Sequence, residues 1–369
     1  MALNCGIVGL PNVGKSTIFS ALSSAKAEAA NYPFCTIEPN TGIVPVPDPR
    51  LERLVELFQP ERRVPAVVEF VDIAGLVAGA SKGEGLGNKF LSHIREVGIV
   101  AHVVRCFEDP DIVHVANRVD PINDIEIIGT ELALADLETV DKRLDKAQRS
   151  MRVLGGEQKK AAEHEVAALQ KVRPALEEGR PARSVALSDE EAAEAKNWFL
   201  LTMKPQVYVC NTDEDGVRNG NKHIDAVKAR AAAEGSEAVV ICGKFEAELA
   251  EMENEEDKRE FLAELGLKES GLSALIHAAY RLLGLRTFFT SGKDECRAWT
   301  IRAGDKAPQA AGVIHTDFEK GFIKADVYRY EDIDALGTEA ALRAAGKLRM
   351  EGKEYVVQDG DVMFFKFNV

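Results

Sequence analysis

The chain has 369 residues, with 46 Lys and Arg against 60 Asp and Glu, for a formal net charge of −14. That balance excludes a nucleic-acid coat protein, which would be basic throughout, but leaves room for one local basic face. The length implies two or three domains, the 46% hydrophobic composition excludes global disorder, and no apolar run reaches the roughly 20 residues that cross a bilayer.

The opening MALNCGIVGLPNVGKS has no basic n-region, so it is expected to enter a strand and a loop rather than serve as a signal peptide. Leu3 to Val8 is a continuous apolar run that stops at Gly9. Further runs are Val67 to Val71, Ile99 to Cys106, Gln206 to Cys210 and Ala238 to Cys242. Alternating with helical patterns, they predict a doubly wound α/β domain with a mostly parallel sheet. Between about Glu131 and Asn197 the alternation breaks. Ala133, Leu137, Val140, Leu144, Ala147, Met151 and Leu154 recur at steps of four and three, the seam of a coiled coil. Gly155-Gly156 interrupts it, and Ala162, Val166, Leu169 and Leu176 continue a second pattern. Two helices joined by Gly-Gly predict an antiparallel hairpin. From Arg286 the chain becomes a small α+β module. Strands are expected at Val327–Tyr330, Tyr355–Val357, Val362–Phe367 and Phe318–Ile323, with a helix over Glu339–Arg349. The six cysteines form no C-x-x-C pair and read as small buried hydrophobes in a reducing, cytoplasmic compartment.

Gly9-Leu10-Pro11-Asn12-Val13-Gly14-Lys15-Ser16 fits G-x-x-x-x-G-K-[ST] between a strand and a helix. Its glycines let successive N–H groups face a phosphate chain, Lys15 meets the β- and γ-phosphates, and Ser16 offers Mg²⁺ a hydroxyl. The expected nucleotide contacts on this loop are Asn12, Val13, Gly14, Lys15, Ser16 and Thr17. Asn12 is also a candidate for seating a monovalent cation such as K⁺. Asp72 and Gly75 form a D-x-x-G at a strand end. There the carboxylate would hold Mg²⁺ through water and the Gly75 N–H would sense the γ-phosphate. Thr36, in the segment between, is a candidate Mg²⁺ ligand. Leu76 follows Gly75, where Ras-type enzymes place the Gln that orients the attacking water, so hydrolysis should be slow. His114 is a candidate to reach the site; the plainer alternative is a solvated loop histidine.

Base choice falls to Asn211-Thr212-Asp213-Glu214. GTPases place N-K-x-D here; this chain lacks the Lys, and its carboxylate is one methylene longer. Bidentate guanine recognition is lost, which favours ATP. Asn211 can still bond a purine N7, and a backbone carbonyl near Thr212 can accept from the adenine 6-amino group. The alternative is that the strand end only caps the sheet and another loop reads the base.

GLPNVGKST, NYPFCTIEPN, FVDIAGLV, GASKGEGLGN, the N-x-x-E of Asn211 to Glu214, RAWTI and HTDFEKGFI together resemble the Obg-like ATPases of the YchF family, over essentially the whole chain. The resemblance implies a P-loop nucleotide-binding domain (1–130 and 198–285), a helical coiled-coil insertion (131–197) and a β-grasp-like TGS domain (286–369). It implies ATP binding with weak hydrolysis, Mg²⁺ on Ser16 and Thr36, and adenine contacts from Asn211 and the Thr212 backbone. It also implies association with the ribosome, as large subunit or assembled particle, through RNA or protein. The expected molecule is a cytoplasmic, monomeric, ATP-dependent switch in translation that avoids membranes. The alternatives are a GTPase of the same fold, a P-loop metabolic kinase, and a binding module with structural nucleotide. Arg286 to Arg329 is net +2, and its Lys320 and Lys324 are candidate phosphate contacts. Trp299, Phe318 and Phe322 read either as a stacking surface or as the module's core.

Overall fold

The computed structural model describes residues 3–24, 40–73, 86–110, 118–153, 155–252 and 254–368. Its strands in chain order are β1 (Asn4–Val8), β2 (Thr41–Pro45), β3 (Arg62–Val64), β4 (Val67–Asp72), β5 (Ile99–Arg105), β6 (Gln206–Asn211), β7 (Glu237–Ile241), β8 (Leu285–Thr290), β9 (Glu295–Arg302), β10 (Phe322–Arg329), β11 (Arg349–Glu351) and β12 (Asp361–Phe367). They form two six-stranded sheets, ordered β2-β4-β1-β5-β6-β7 and β11-β10-β12-β8-β9-β3. The chain divides into two compact units, 1–42 with 69–275, and 43–68 with 276–369.

In the first sheet β1 pairs in parallel with β4 and β5, β5 with β6, and β6 with β7. Strands β5 and β6 are buried along their whole length, as continuous apolar runs covered on both faces should be. This is the predicted doubly wound architecture. The strand order reverses at β1, which has β4 on one side and β5 on the other. Loops leaving the carboxyl ends of strands diverge at such a point and open a crevice. The loop after β1 is the glycine-rich one, so topology alone delivers it there. Cys5, Cys106, Cys210, Cys242 and Cys296 are free and buried, as their apolar surroundings suggested.

The hairpin helices run Pro121–Met151 and Gly156–Glu177. The first starts well before the expected Glu131. Its opening turns bury Ile125 with Val104, Cys106 and Tyr208 of the sheet, so they follow a different apolar face from the seam beyond. Ala133, Val140 and Leu144 then pack with Leu169, Val172 and Leu176 of the second helix. Arg143 Nη1 meets Glu165 at 3.0 Å, and Arg173 Nε meets Asp141 at 2.8 Å. Numbering rises on one helix as it falls on the other, so the pair is antiparallel.

At the root of the hairpin, Asp136 is 1% exposed. It accepts from the Leu201 N–H at 2.8 Å, and from the Thr202 N–H and hydroxyl at 2.7 Å each. These bonds fasten the hairpin to the segment that leads into β6. At the helix start, Asp120 accepts from the Asn123 N–H at 3.2 Å, ahead of Pro121 in the first turn. Asp120→Ala is expected to lower stability by about 1 kcal/mol, the usual worth of an N-cap. An unshifted urea midpoint would mean the cap is idle.

In the second unit, β8 and β9 are antiparallel, as are β10 and β12, while β12 and β8 are parallel. The helix Pro49–Phe58 buries Leu51 and Leu54, and β3 pairs in parallel with β9. The segment 43–68, assigned from sequence to the nucleotide-binding part, thus groups with the C-terminal unit; within it the helix Pro49–Phe58 and β3 pack there, while the flanking β2 and β4 pair in the first sheet. Phe322 is buried in this unit's core, with Trp299 and Phe318 packed against it, so these aromatics are core rather than a stacking surface. Three local expectations need correction. Thr316–Lys320 is a short helix capped by His315, so β10 begins only at Phe322. Tyr355–Val357 contributes an isolated bridge, Lys306 with Val356, rather than a strand. The helix from Glu339 ends at Ala344; Gly346, at φ +67°, turns the chain and Arg349 opens β11.

Candidate functional site

The loop after β1 is shaped by what glycine permits. A Cβ on Gly9 would lie 2.6 Å from the Val103 carbonyl oxygen of the neighbouring strand. Asn12 at φ +62° and Gly14 at φ +94° reverse the chain, so that Lys15 opens the helix Lys15–Ser24. Val13 is buried beneath the loop, whereas Ser16 and Thr17 are exposed on the first helical turn. Successive N–H groups and a helix N-terminus together make an anion site. Lys15 Nζ donates to the carbonyls of Gly9 at 2.9 Å and Leu10 at 3.0 Å, which holds its charge over the loop. Burial pushes its pKa below the ordinary lysine value, and the negative charge of Asp72 opposes that shift. Asp72 stands at the end of β4, beside Ile7 of β1. Burial raises its pKa, against the pull of Lys15. Its buried Oδ1 has no hydrogen-bond partner among the described residues.

The other end of the site is built on β6. Asn211 is 5% exposed and uses both ends of its amide. Nδ2 donates to the Val13 carbonyl at 2.9 Å, and Oδ1 accepts the Gly243 N–H at 3.0 Å. A Cβ on Gly14 would fall 2.1 Å from Asn211 Nδ2, so the loop needs glycine here for space as well as for its dihedral. Thr212 turns into the sheet; its N–H donates to Ile241 O at 2.8 Å and its hydroxyl to Cys106 O at 3.2 Å. Asp213 accepts the Gly216 N–H at 2.7 Å and caps the helix Glu214–Asn219, leaving Glu214 exposed. These elements enclose a cavity of about 700 Å³, lined among others by Asn12, Gly14, Thr17, Phe107, Asn211 and Lys244. That is the size of a small-molecule site. Arg105 fixes the Phe107 side of it, with Nε donating to Phe107 O at 3.1 Å and its guanidinium 4.7 Å from the ring centroid.

Two family models match the chain. One, YchF-GTPase_C, described as a protein of unknown function, covers residues 285–368; the other, MMR_HSR1, described as a 50S ribosome-binding GTPase, covers residues 4–146. The chain is 56% identical over 369 residues to the ribosome-binding ATPase YchF of Haemophilus influenzae, covering 100% of both. The chain belongs to the YchF family. It is also 46% identical to Obg-like ATPase 1 of Caenorhabditis elegans, across 99% of this chain and 92% of that one. A solved YchF GTPase from Schizosaccharomyces pombe matches with a TM-score of 0.89 at 43% identity, covering 99% of this chain and 97% of its own.

Of the residues expected in a YchF-type site, Asn12 to Thr17 form one continuous loop and helix start, and Asn211 is bonded directly to it. Asp72 reaches the same loop through its charge on Lys15. Thr36, Gly75 and His114 lie outside the described residues. Sequence reasoning did not single out Phe107, Gly243 or Lys244. Each follows the end of a strand already read from its apolar run, β5 or β7, next to the strand that carries Asn211. The carboxyl-end rule, applied to every strand rather than only to the motifs, would have found them.

Proposed function

We propose that this chain is an ATP-binding conformational switch that hydrolyses ATP slowly, associates with the ribosome and regulates translation. The observation that carries the base choice is the environment of Thr212. The position where GTPases carry a lysine stem holds a threonine 3% exposed, with its hydroxyl turned to Cys106 O. Its N–H is also engaged, so its carbonyl is the polar group it can offer the cavity, suited to the adenine 6-amino group. Asn211 keeps a second amide hydrogen for N7, because its bond to Val13 uses only one. Glu214, exposed at a helix start, is not a carboxylate pre-placed for the two guanine N–H groups.

The triphosphate takes the N–H groups of residues 13–17 and the Lys15 ammonium. Mg²⁺ bound with nucleotide takes few protein oxygens and keeps several waters. Ser16 Oγ fits as a direct ligand with Thr36 as the further one, and Asp72, whose Oδ1 has no partner among the described residues, fits through water. When bound, the ion neutralises charge on the β- and γ-oxygens. We assign Asn12 to the seat of a K⁺ ion. Gly75 senses the γ-phosphate and His114 assists hydrolysis, which stays slow because Leu76 has no group to orient water. Lys15 and these two residues form the catalytic set.

The relatives' names carry ribosome binding. We assign that role to the parts a nucleotide site does not need, in a three-part division of P-loop domain, helical insertion and C-terminal TGS domain. Exposed Lys320 and half-buried Lys324 are the contacts assigned to the last. Among the described residues no helix is long and apolar enough to cross a membrane, and we place the protein in the cytoplasm as a monomer.

ATP is expected to displace a bound fluorescent ATP analogue at lower concentration than GTP. The reverse order would overturn the base assignment and favour the GTPase reading, which the name of the S. pombe neighbour carries. Complete absence of phosphate release would favour a binding module.

A further inference from the structure

The hairpin tip is charged unlike the rest of the chain. Residues 142–160 hold seven cations and two acids, a net of +5 in a chain of −14. Three of these cations have carboxylate partners: Lys142 lies 2.6 Å from Glu138, Arg143 lies 3.0 Å from Glu165, and Lys159 lies 4.0 Å from Glu163. Arg149 has only a loose contact, 4.0 Å from Asp145. Lys146, Arg152 and Lys160 are exposed, and no carboxylate stands within salt-bridge distance of them among the described residues. Lys146, Arg149 and Arg152 succeed one another at steps of three, so they line one face of the helix end. Lys160 extends the charge onto the second helix across the short turn.

We propose that this tip docks on the phosphate backbone of RNA, a proposal that rests on the ribosome reading and names the contacting surface. Close like charges repel one another, so leaving three cations unpaired in an acidic protein is unfavourable until an external anion array compensates them. RNA fits better than an acidic protein. Protein interfaces gather an apolar, charge-depleted centre inside a polar rim. Among the described residues of the tip, the exposed large apolar side chain is Val153, 87% exposed, with no second one to form such a centre. Phosphate recognition needs only mobile cations on a convex surface. The contact should read charge and shape rather than sequence.

The test uses the full-length protein and a triple variant, Lys146→Gln, Arg152→Gln and Lys160→Gln. None of the three lies in the nucleotide site, so ATP hydrolysis reports an intact fold. Binding to an RNA duplex of about 20 base pairs is followed by fluorescence anisotropy across a salt series, and to ribosomes by co-sedimentation. Each lost phosphate contact should reduce the log–log salt slope by about one. The expected variant therefore shows a slope smaller by about two to three, a duplex affinity at least tenfold lower near 0.1 M salt, and poorer ribosome pelleting. Equal slopes and affinities would overturn the proposal, as would a wild type that ignores the duplex. Unchanged duplex binding with lost pelleting would overturn it in favour of an acidic protein contact. A wild type that binds the duplex through the tip but never pellets with ribosomes would keep the surface and sink the ribosome reading instead. A second triple variant to Glu should deepen the same losses if the effect is electrostatic; a weaker effect than with Gln would count against it.

Discussion

Lys15→Ala is expected to weaken ATP binding by roughly 10- to 100-fold. Hydrogen bonds to a charged group contribute about 1.5–3 kcal/mol, and 1.4 kcal/mol is a factor of ten. The Lys15 ammonium is held against the Gly9 and Leu10 carbonyls, and burial already disfavours its charge. A phosphate supplies the countercharge that the loop lacks, so the gain on binding concentrates at this group. Fold stability should change little, because both carbonyls belong to a loop at the mouth of the crevice. Calorimetric titration of both proteins decides it: equal affinities would remove Lys15 from the phosphate site.

The parts of the fold that were legible in sequence share one physical property. Strands β1, β4, β5 and β6 lie in the interior of one sheet and appear as mostly apolar runs; β7, at its edge, shows the same signature because Ala238 and Val240 pack against the core. Of the strands not read from sequence, β2, β3 and β11 sit at sheet edges, whereas β8 and β9 lie inside the second sheet. β3 is Arg62-Arg63-Val64, an edge strand whose two arginines face water; its partner lies more than 200 residues away, and no local pattern encodes that pairing. Phe318 looked like a strand residue because it is aromatic, but it packs into the core from a helical turn. The hairpin was visible from its Gly-Gly turn and seam, while its true start was hidden by apolar residues serving two faces in succession. In the site, Lys15, Asp72 and Asn211 were legible because phosphate chemistry fixes their type and spacing. Gly243 was not, since its contribution is a backbone N–H, which any residue could supply. Its glycine character matters only because a Cβ would stand 3.2 Å from Asn211 Oδ1.

Asn211→Ala is expected to destabilise the protein by about 2–6 kcal/mol, because it leaves a buried carbonyl and a buried N–H unpaired at about 1–3 kcal/mol each. The residue is a strut between the phosphate loop and the loop after β7, through Val13 O and Gly243 N. Removing it should also lower ATP affinity, since the loop would lose its brace as well as its N7 contact. Asn211→Asp separates the two bonds. It retains an acceptor for Gly243 but turns an oxygen toward the Val13 carbonyl, so it should impair ATP binding at least as much as alanine. Urea midpoints with and without ATP measure both effects. An alanine variant with wild-type midpoint and wild-type ATP stabilisation would show that the strut bears no strain.

The Asp136 fastening has a mechanical corollary. Three short bonds tie the hairpin to Leu201 and Thr202, just ahead of the strand that ends in Asn211. From Asp136 to Arg152 a helix advances about 24 Å at 1.5 Å per residue. The hairpin is thus a rigid pointer pivoted close to the nucleotide strand. A tilt of about 5° at the pivot would sweep its end through about 2 Å, given that helical rise. Displacements too small to notice around a phosphate become, at the far end of the pointer, a distance comparable to a hydrogen bond.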